Sequence, residues 1–247
     1  MKTVFEKTRG CNDMVLSFCG GCGHGIIMRL IAESLDELGV LSRTVLVNGI
    51  GCCAPSWQFV EYDSVSVPHG RAPACAAGLK RCNPDKVVYT YQGDGDCGAI
   101  GMAETMWAAI RGERITVIHV NNTNYGMTGG QMAPTTLEGQ VTTTSPRGRD
   151  VALTGLPLHL PEQIAALPGS GFVARVSLYD TARIRAAKNA IRKAFEVQLD
   201  GGYSFVEVLS PCPSNWHMSP VAAMDHVRDT LTKEYSLGVL KEWKGGA

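Results

Sequence analysis

The chain has 247 residues, 45% apolar and 19% charged, which is enough for one substantial α/β core and short for two. Twenty-three Lys and Arg balance twenty-three Asp and Glu, and no basic run occurs, so neither nucleic acid nor an anionic membrane is an expected partner. The first seven residues lack the apolar stretch of a secretory leader, and a cytoplasmic location is expected. Residues 115–137 carry no charge, yet Asn, Thr, Gly, Gln and Pro crowd them too densely for a bilayer span.

Along the chain, residues 15–24 hold Cys19-Gly-Gly-Cys22-Gly-His24, a Cys-x-x-Cys on a glycine turn. A helix over 25–38 follows, with Ile27, Leu30, Ile31, Leu35 and Leu38 on one stripe and Gly39 placed to end it. Strands are expected at 44–48, 64–67, 87–91, 115–120, 172–178 and 203–209, where β-branched apolar runs have strand length. A helix over 98–110 puts Ala99, Ala103, Met106, Trp107 and Ile110 on a stripe. Residues 126–150 show no period and read as a long functional loop. Asp180 caps a helix whose Ile184, Ala187, Ile191, Ala194 and Phe195 face inward. Residues 213–247 read as a tail, with a short helix near 220–233 that packs on a partner. Strands apolar on both faces, alternating with helices, predict an α/β fold: a mainly parallel sheet with helices on both faces, within a single domain spanning 1–247.

The chemistry begins at Gly93-Asp94-Gly95-Asp96, which follows a strand, with Asn121-Asn122 ending the next one. An anionic cofactor and a carboxylate share a pocket only with a cation between them. Mg²⁺ takes a near-octahedral set of oxygens, and Asp94 offers a carboxylate, Asn122 a side-chain carbonyl and Asn124 a backbone carbonyl beside a diphosphate. Two glycines let the main chain approach the phosphates. Gly93-x-Gly95-x-x-Gly98 also fits the dinucleotide fingerprint. That reading requires an acidic residue at the end of the next strand, where Asn121-Asn122 stands instead, and Asp94 and Asp96 would repel an unshielded pyrophosphate. The remaining alternative is an acidic turn with no ligand. The Asn pair, followed by Tyr125-Gly126-Met127-Thr128-Gly129-Gly130, argues against it.

Nine cysteines without a leader point to metal or redox use rather than disulfides. Cys19-x-x-Cys22 alone fits a redox dithiol, a zinc pair or an iron–sulfur pair. Cys52 and Cys212 each follow a predicted strand, and the ends of parallel strands converge on the edge where such sheets bind ligands. Four cysteines beside a cofactor favour a [4Fe–4S] cluster over a closed structural zinc, which would be idle there. Cys53 competes with Cys52 as a ligand, whereas Cys11, Cys75, Cys82 and Cys97 read as free or buried thiols.

Cys19-x-x-Cys22-Gly-His24, Gly49-Ile50-Gly51-Cys52, His69-Gly-Arg71, Gly93-Asp94-Gly95-Asp96, Asn122-x-x-Tyr125 through Thr136, and Ser210-Pro-Cys212-Pro213 together resemble the β subunit of the 2-oxoacid:ferredoxin oxidoreductases. The likeness runs from about residue 15 to 235. It implies a thiamine diphosphate-binding fold and cluster ligation by Cys19, Cys22, Cys52 and Cys212. It implies Mg²⁺ at Asp94, Asn122 and Asn124. Cofactor contacts are implied for His24, the turn Gly49, Ile50, Gly51 and Cys52, for Gly93 to Asp96, and for Tyr125, Gly126, Met127 and Thr128. Met127 falls where relatives place a residue beside the substrate carbon, and His69 and Arg71 are further catalytic candidates. Gly129 stands where certain members carry a lysine, a departure that bears on substrate choice.

The implied activity is oxidative decarboxylation of a small 2-oxoacid to an acyl-CoA with reduction of ferredoxin. CoA is the co-substrate, and a branched-chain acid is favoured over 2-oxoglutarate because Met127 and Gly129 offer no positive charge. The expected partners are an α subunit supplying the activating Glu and further γ and δ subunits. The alternatives are a non-oxidative thiamine-dependent decarboxylase or synthase, and a zinc- or cluster-bearing electron-transfer or binding module.

Overall fold

Six apolar runs, each too short to bury itself, pair along their edges into one sheet, and the helices between them cover its two faces. The computed structural model describes residues 6–245; most of the N-terminal segment read above for a leader, and the last two residues of the tail, lie outside the described residues. The strands are β1 (Thr44–Asn48), β2 (Asp63–Ser66), β3 (Val87–Gly93), β4 (Thr116–Asn121), β5 (Asn124–Tyr125), β6 (Gln131–Met132), β7 (Ser170–Ser177), β8 (Tyr203–Leu209) and β9 (Gly238–Lys241). The helices are α1 (His24–Glu37), α2 (Ala72–Cys82), α3 (Met102–Ile110), α4 (Val151–Thr154), α5 (Leu160–Ala166), α6 (Thr181–Leu199), α7 (Pro213–Trp216), α8 (Pro220–His226) and α9 (Thr232–Glu234).

The main sheet has the order β2-β1-β3-β4-β8-β7-β9, parallel throughout except for β9, which runs antiparallel on β7. The expected α/β architecture is therefore present. Every residue of β4, β7 and β8 is buried, as a sheet covered on both sides requires. One face packs Ile27, Leu30, Ile31 and Leu35 of α1 and Ala187, Ile191, Ala194 and Phe195 of α6 against the strands. The Asp180 cap accepts a hydrogen bond from Arg183 N at 2.7 Å, and Gly39 ends α1 at φ +69°, both as expected. The other face packs Ala72, Ala76, Ala108, Ala109, Leu160 and Ile164.

Two features go beyond what the sequence reading gave. In α3 the buried residues are Thr105, Ala108 and Ala109, while Ile100, Trp107 and Ile110 are 47%, 56% and 41% exposed. The apolar stripe read from the sequence exists but faces outward, because periodicity locates a stripe without saying what covers it. The tail also packs on the chain's own sheet. Val227, Leu231 and Tyr235 bury themselves against Leu209, and β9 extends the sheet. The 126–150 loop contributes β6 and the turn of the β5–β6 hairpin, a feature too short to carry a period. Among the described residues no helix is long and apolar enough to cross a membrane.

A charged cluster lies inside the sheet. Arg175 on β7 is fully buried and pairs with Glu207 on β8, while its two terminal nitrogens reach Glu162 on α5 at 2.6 and 2.7 Å. His119 Nδ1 lies 3.2 Å from Glu207 and Asn121 Nδ2 donates to the same carboxylate at 3.3 Å. Burial opposes ionisation of Glu207, yet His119 and Arg175 hold its carboxyl down at about 2. Removing one member of such a set leaves a buried charge uncompensated. Arg175→Met is expected to lower stability in urea by about 3–5 kcal/mol, and adding Glu207→Leu is expected to recover much of the loss.

Candidate functional site

β1, β3, β4 and β8 run in one direction, so the segments after Asn48, Gly93, Asn121 and Leu209 all leave the sheet at one edge. From β1 the chain goes out to β2 and returns to β3 on the other side of β1. The strand order thus reverses at β1, and a crevice forms there at the carboxyl edge. The 49–52 and 93–96 turns border it.

Asp94 is 2% exposed and its hydrogen-bond donors are neutral: Gly95 N at 2.8 Å, Thr135 Oγ1 at 2.5 Å and the backbone of Thr123. Burial pushes its carboxyl up to about 6, against the pull of those donors and of nearby His119. A buried carboxylate with only neutral donors is completed by a cation. The register Gly93↔Val120 sets the 121–124 turn beside it. That turn is built by its own asparagines: Asn121 Oδ1 accepts from Thr123 N at 3.2 Å, and Asn124 Nδ2 donates to Asn122 O at 2.8 Å. Thr123 adopts φ +61°, a left-handed conformation that turns the chain sharply. Asn122 and Asn124 are both buried. Asp94, Asn122 and Asn124 are thus neighbours on oxygen-rich ground that fits a hard divalent ion.

The two glycines differ in purpose. A Cβ at Gly93 would meet nothing within 4 Å, leaving room for a phosphate, whereas one at Gly95 would strike the Tyr125 ring at 2.1 Å. Asp96 is occupied by the fold: it accepts from Gly70 N at 2.9 Å, Ile50 N at 3.4 Å and Gln92, and it faces His69 Nδ1. It ties the 49–51 turn and the 69–71 loop to β3 rather than facing a metal. His69 borders Tyr125, with ring centres 6.4 Å apart. Arg71 is paired with Glu104 at the start of α3, so its charge is already matched. Ile50, Met127 and Thr128 are exposed at the rim. His24, expected beside the cofactor, is packed within the protein's own aromatic side chains. It is 1% exposed, stacks on Phe18 and bonds the Tyr91 hydroxyl at 2.5 Å, and burial lowers its pKa to about 4.

The four expected cysteines gather at the same edge. Burial raises the Cys52 thiol to about 12, and Cys212, Cys22, Cys19 and Asp94 all push it further up, which places them within electrostatic reach. Burial likewise lifts Cys22 to about 11, with Cys212 and Cys19 adding to it. The Cys-x-x-Cys turn closes through Cys22 N to Cys19 O at 3.0 Å, and a side chain at Gly23 would strike Ser210 Oγ at 2.2 Å. Glycine therefore lets this turn lie against the loop carrying Cys212. Cys52 Sγ lies 3.0 Å from where a Gly126 Cβ would sit, so the thiols adjoin the Asn122–Thr128 segment. Cys53, the sequence competitor, is 1% exposed and packs into the core. Among the described residues no three His, Cys, Asp or Glu side chains converge on a point suited to a single ion. Four thiols within electrostatic reach of one another are a donor set of the kind that iron–sulfur clusters use.

Three contributors escaped the sequence reading. Asn215 Nδ2 donates to Gly126 O at 2.9 Å and lies 3.4 Å from Cys212 Sγ, joining the thiol group to the asparagine turn. Thr135 bonds Asp94, and Tyr91 reaches His24. None had a signal beyond its presence near a motif. A cavity of about 920 Å³ between α1 and α6 is remote from this chemistry; one of about 750 Å³ flanks it, lined by Gly98, Tyr125, Met132 and Pro134.

Residues 49–208 match the family model for the thiamine pyrophosphate enzyme C-terminal TPP binding domain. The chain is 49% identical over 233 residues to ketoisovalerate oxidoreductase subunit VorA of Methanothermobacter thermautotrophicus, covering 94% of this chain and 49% of the relative. It thus spans about half the length of that relative. It is 35% identical to 2-oxoglutarate synthase subunit KorB of Archaeoglobus fulgidus, covering 87% of this chain and 77% of KorB. A 2-oxoglutarate:ferredoxin oxidoreductase from Magnetococcus marinus, solved with 2-oxoglutarate, coenzyme A and succinyl-CoA bound, superimposes with a TM-score of 0.82 at 23% identity over 96% of this chain and 85% of that one, which establishes the shared fold. The resemblance read from the motifs is borne out: the chain belongs to the thiamine pyrophosphate-binding subunits of the 2-oxoacid:ferredoxin oxidoreductase family.

Proposed function

We propose that the chain is the β-type subunit of a CoA-acylating 2-oxoacid:ferredoxin oxidoreductase, holding thiamine diphosphate through Mg²⁺ beside a [4Fe–4S] cluster. The observation that carries this reading is the meeting, at one sheet edge, of a buried carboxylate with only neutral donors and four mutually interacting thiols. When bound, thiamine diphosphate supplies a nucleophilic carbon and an electron sink for decarboxylating a 2-oxoacid, and the cluster accepts the electrons singly. Asp94, the Asn122 side chain and the Asn124 carbonyl hold the cation, and the open space at Gly93 admits the diphosphate. Tyr125 covers Gly95 and shields that end of the crevice from water. Cys19, Cys22, Cys52 and Cys212 ligate the cluster, with Asn215 Nδ2 placed to donate a hydrogen bond to Cys212 Sγ.

A branched-chain 2-oxoacid is the favoured substrate. The higher identity to the ketoisovalerate enzyme's subunit supports this, as do Met127 and Gly129, which bring no cation for a second carboxylate. The outward apolar stripe Ile100, Trp107 and Ile110 supports assembly with partner subunits, among them an α subunit donating the activating Glu. Anaerobic turnover of the co-expressed complex with a panel of 2-oxoacids, CoA and a viologen dye tests the whole reading. Acyl-CoA formation with dye reduction, fastest for branched-chain acids, is the expected result. A colourless thiamine protein that releases only aldehyde would favour a non-oxidative enzyme instead.

Two further outcomes are expected. Asp94→Ala is expected to abolish thiamine diphosphate retention through desalting, and undiminished retention would refute the metal role. Its raised pKa also has a consequence for the cofactor-free chain. The protonated carboxyl favours the fold below pH about 4, and that contribution is lost as pH rises to about 6. Cofactor-free Asp94→Asn is therefore expected to melt higher than the parent above pH 6, a difference that fades on acidification. Separately, Cys212→Ser is expected to remove the cluster's visible absorbance after anaerobic reconstitution; an intact spectrum would transfer ligation to another cysteine.

A further inference from the structure

The segment following the asparagine turn has no strong secondary structure, yet it delivers one hydroxyl to the Asp94 carboxylate. Thr135 is fully buried, and its Oγ1 donates to Asp94 Oδ2 at 2.5 Å, while Gly95 N occupies Oδ1 at 2.8 Å. These two bonds, with a third from the Thr123 backbone, fix the plane of the carboxylate and leave lone-pair capacity free for another ligand. Three anchors hold Thr135 and its neighbours in place. Thr136 Oγ1 donates to Thr123 O at 2.6 Å, linking Thr135 to the asparagine turn. The Tyr235 hydroxyl, arriving from the C-terminal segment, donates to Thr135 O at 2.6 Å.

The third anchor is Arg149, 5% exposed and bound to main-chain carbonyls. Its Nη1 donates to Pro134 O at 2.8 Å and to Thr136 O, the two neighbours of Thr135, and its Nη2 reaches Leu156 O at 3.0 Å. A guanidinium has rigid, forked donors, so one buried arginine sets the relative positions of several carbonyls at once. No charge in the 115–137 stretch could do this from within.

We propose that Thr135 is a positioning residue for the Asp94 carboxylate, aimed at it by Arg149 and Tyr235, so that these three set the affinity of the site for the divalent cation. The inference rests on the reading of Asp94 as a metal ligand and extends it to Thr135, which had no assigned role within the 122–136 motif, and to Arg149 and Tyr235, which lie outside every motif. Thr135 acts on the cation through Asp94, and Arg149 and Tyr235 act through Thr135.

The test uses the co-expressed complex, stripped with EDTA and titrated calorimetrically with Mg²⁺ at saturating thiamine diphosphate. Thr135→Val keeps the shape and loses the donor, and is expected to weaken Mg²⁺ binding roughly ten- to hundredfold, the range for a hydrogen bond to a charged group. Thr135→Ser keeps the donor and is expected to stay within about threefold of the parent. Cluster absorbance of Thr135→Val is expected to match the parent, which separates positioning from general damage. Arg149→Met is expected to weaken Mg²⁺ binding as well, and combining it with Thr135→Val is expected to add little to the valine variant's loss, because residues in one chain of contacts are not additive.

Equal Mg²⁺ affinity in the parent and Thr135→Val would overturn the proposal, as would equal losses in the valine and serine variants. Fully additive losses for Thr135→Val and Arg149→Met would overturn the route through Thr135. A parent complex that binds neither Mg²⁺ nor thiamine diphosphate would overturn the functional reading itself, and this inference with it.

Discussion

A carboxylate buried among neutral donors is the constraint on which the rest of this structure turns. Asp94 is out of water and receives hydrogen bonds from a glycine amide, a threonine hydroxyl and the backbone of the following turn. The ionised form is costly there until a cation arrives. The fold tolerates that cost because parallel strands end together at one edge, with loops free to bring oxygens and thiols from distant parts of the sequence. The fully buried Arg175–Glu207–His119 cluster makes the contrasting choice, satisfying its charges internally so that the sheet behind the crevice stays fixed.

The thiol group and the oxygen group are two halves of one arrangement. Cys52 lies against Gly126, and Asn215 bridges from Gly126 O to Cys212 Sγ, so the backbone that carries the asparagine turn also contacts the cysteines. A cluster held there would share its walls with the diphosphate site. Such closeness suits single-electron chemistry, because the electron donor and the acceptor are held by the same few residues. The outward stripe of α3 leaves apolar surface uncovered by the chain itself, and the proposed partner subunits would pack on it.

Much of this was legible in the residues. The strands at 44–48 and 203–209 appear with the bounds that β-branched runs predict, and the caps at Gly39 and Asp180 work as their types require. The convergence of the 49–52, 93–96, 121–124 and 210–212 segments followed from parallel pairing alone. His24 and Asp96 were legible as members of motifs, and the structure adds the contacts each makes within the protein. A motif fixes a residue's neighbourhood, whereas its rotamer decides whether it faces a ligand or, as with Asp96, the amides of Gly70 and Ile50.

What the sequence by itself determined, then, is the local order of the chain and the chemical inventory at each strand end, because helix and strand periods and donor types are properties of consecutive residues. Tertiary structure alone decided that Thr135, Arg149 and Tyr235 stand behind Asp94, that Asn215 joins the thiols to the turn, and that Trp107 faces out. Each of these depends on contacts between segments far apart in the chain, whose geometry is set only when the sheet has assembled and its loops have packed.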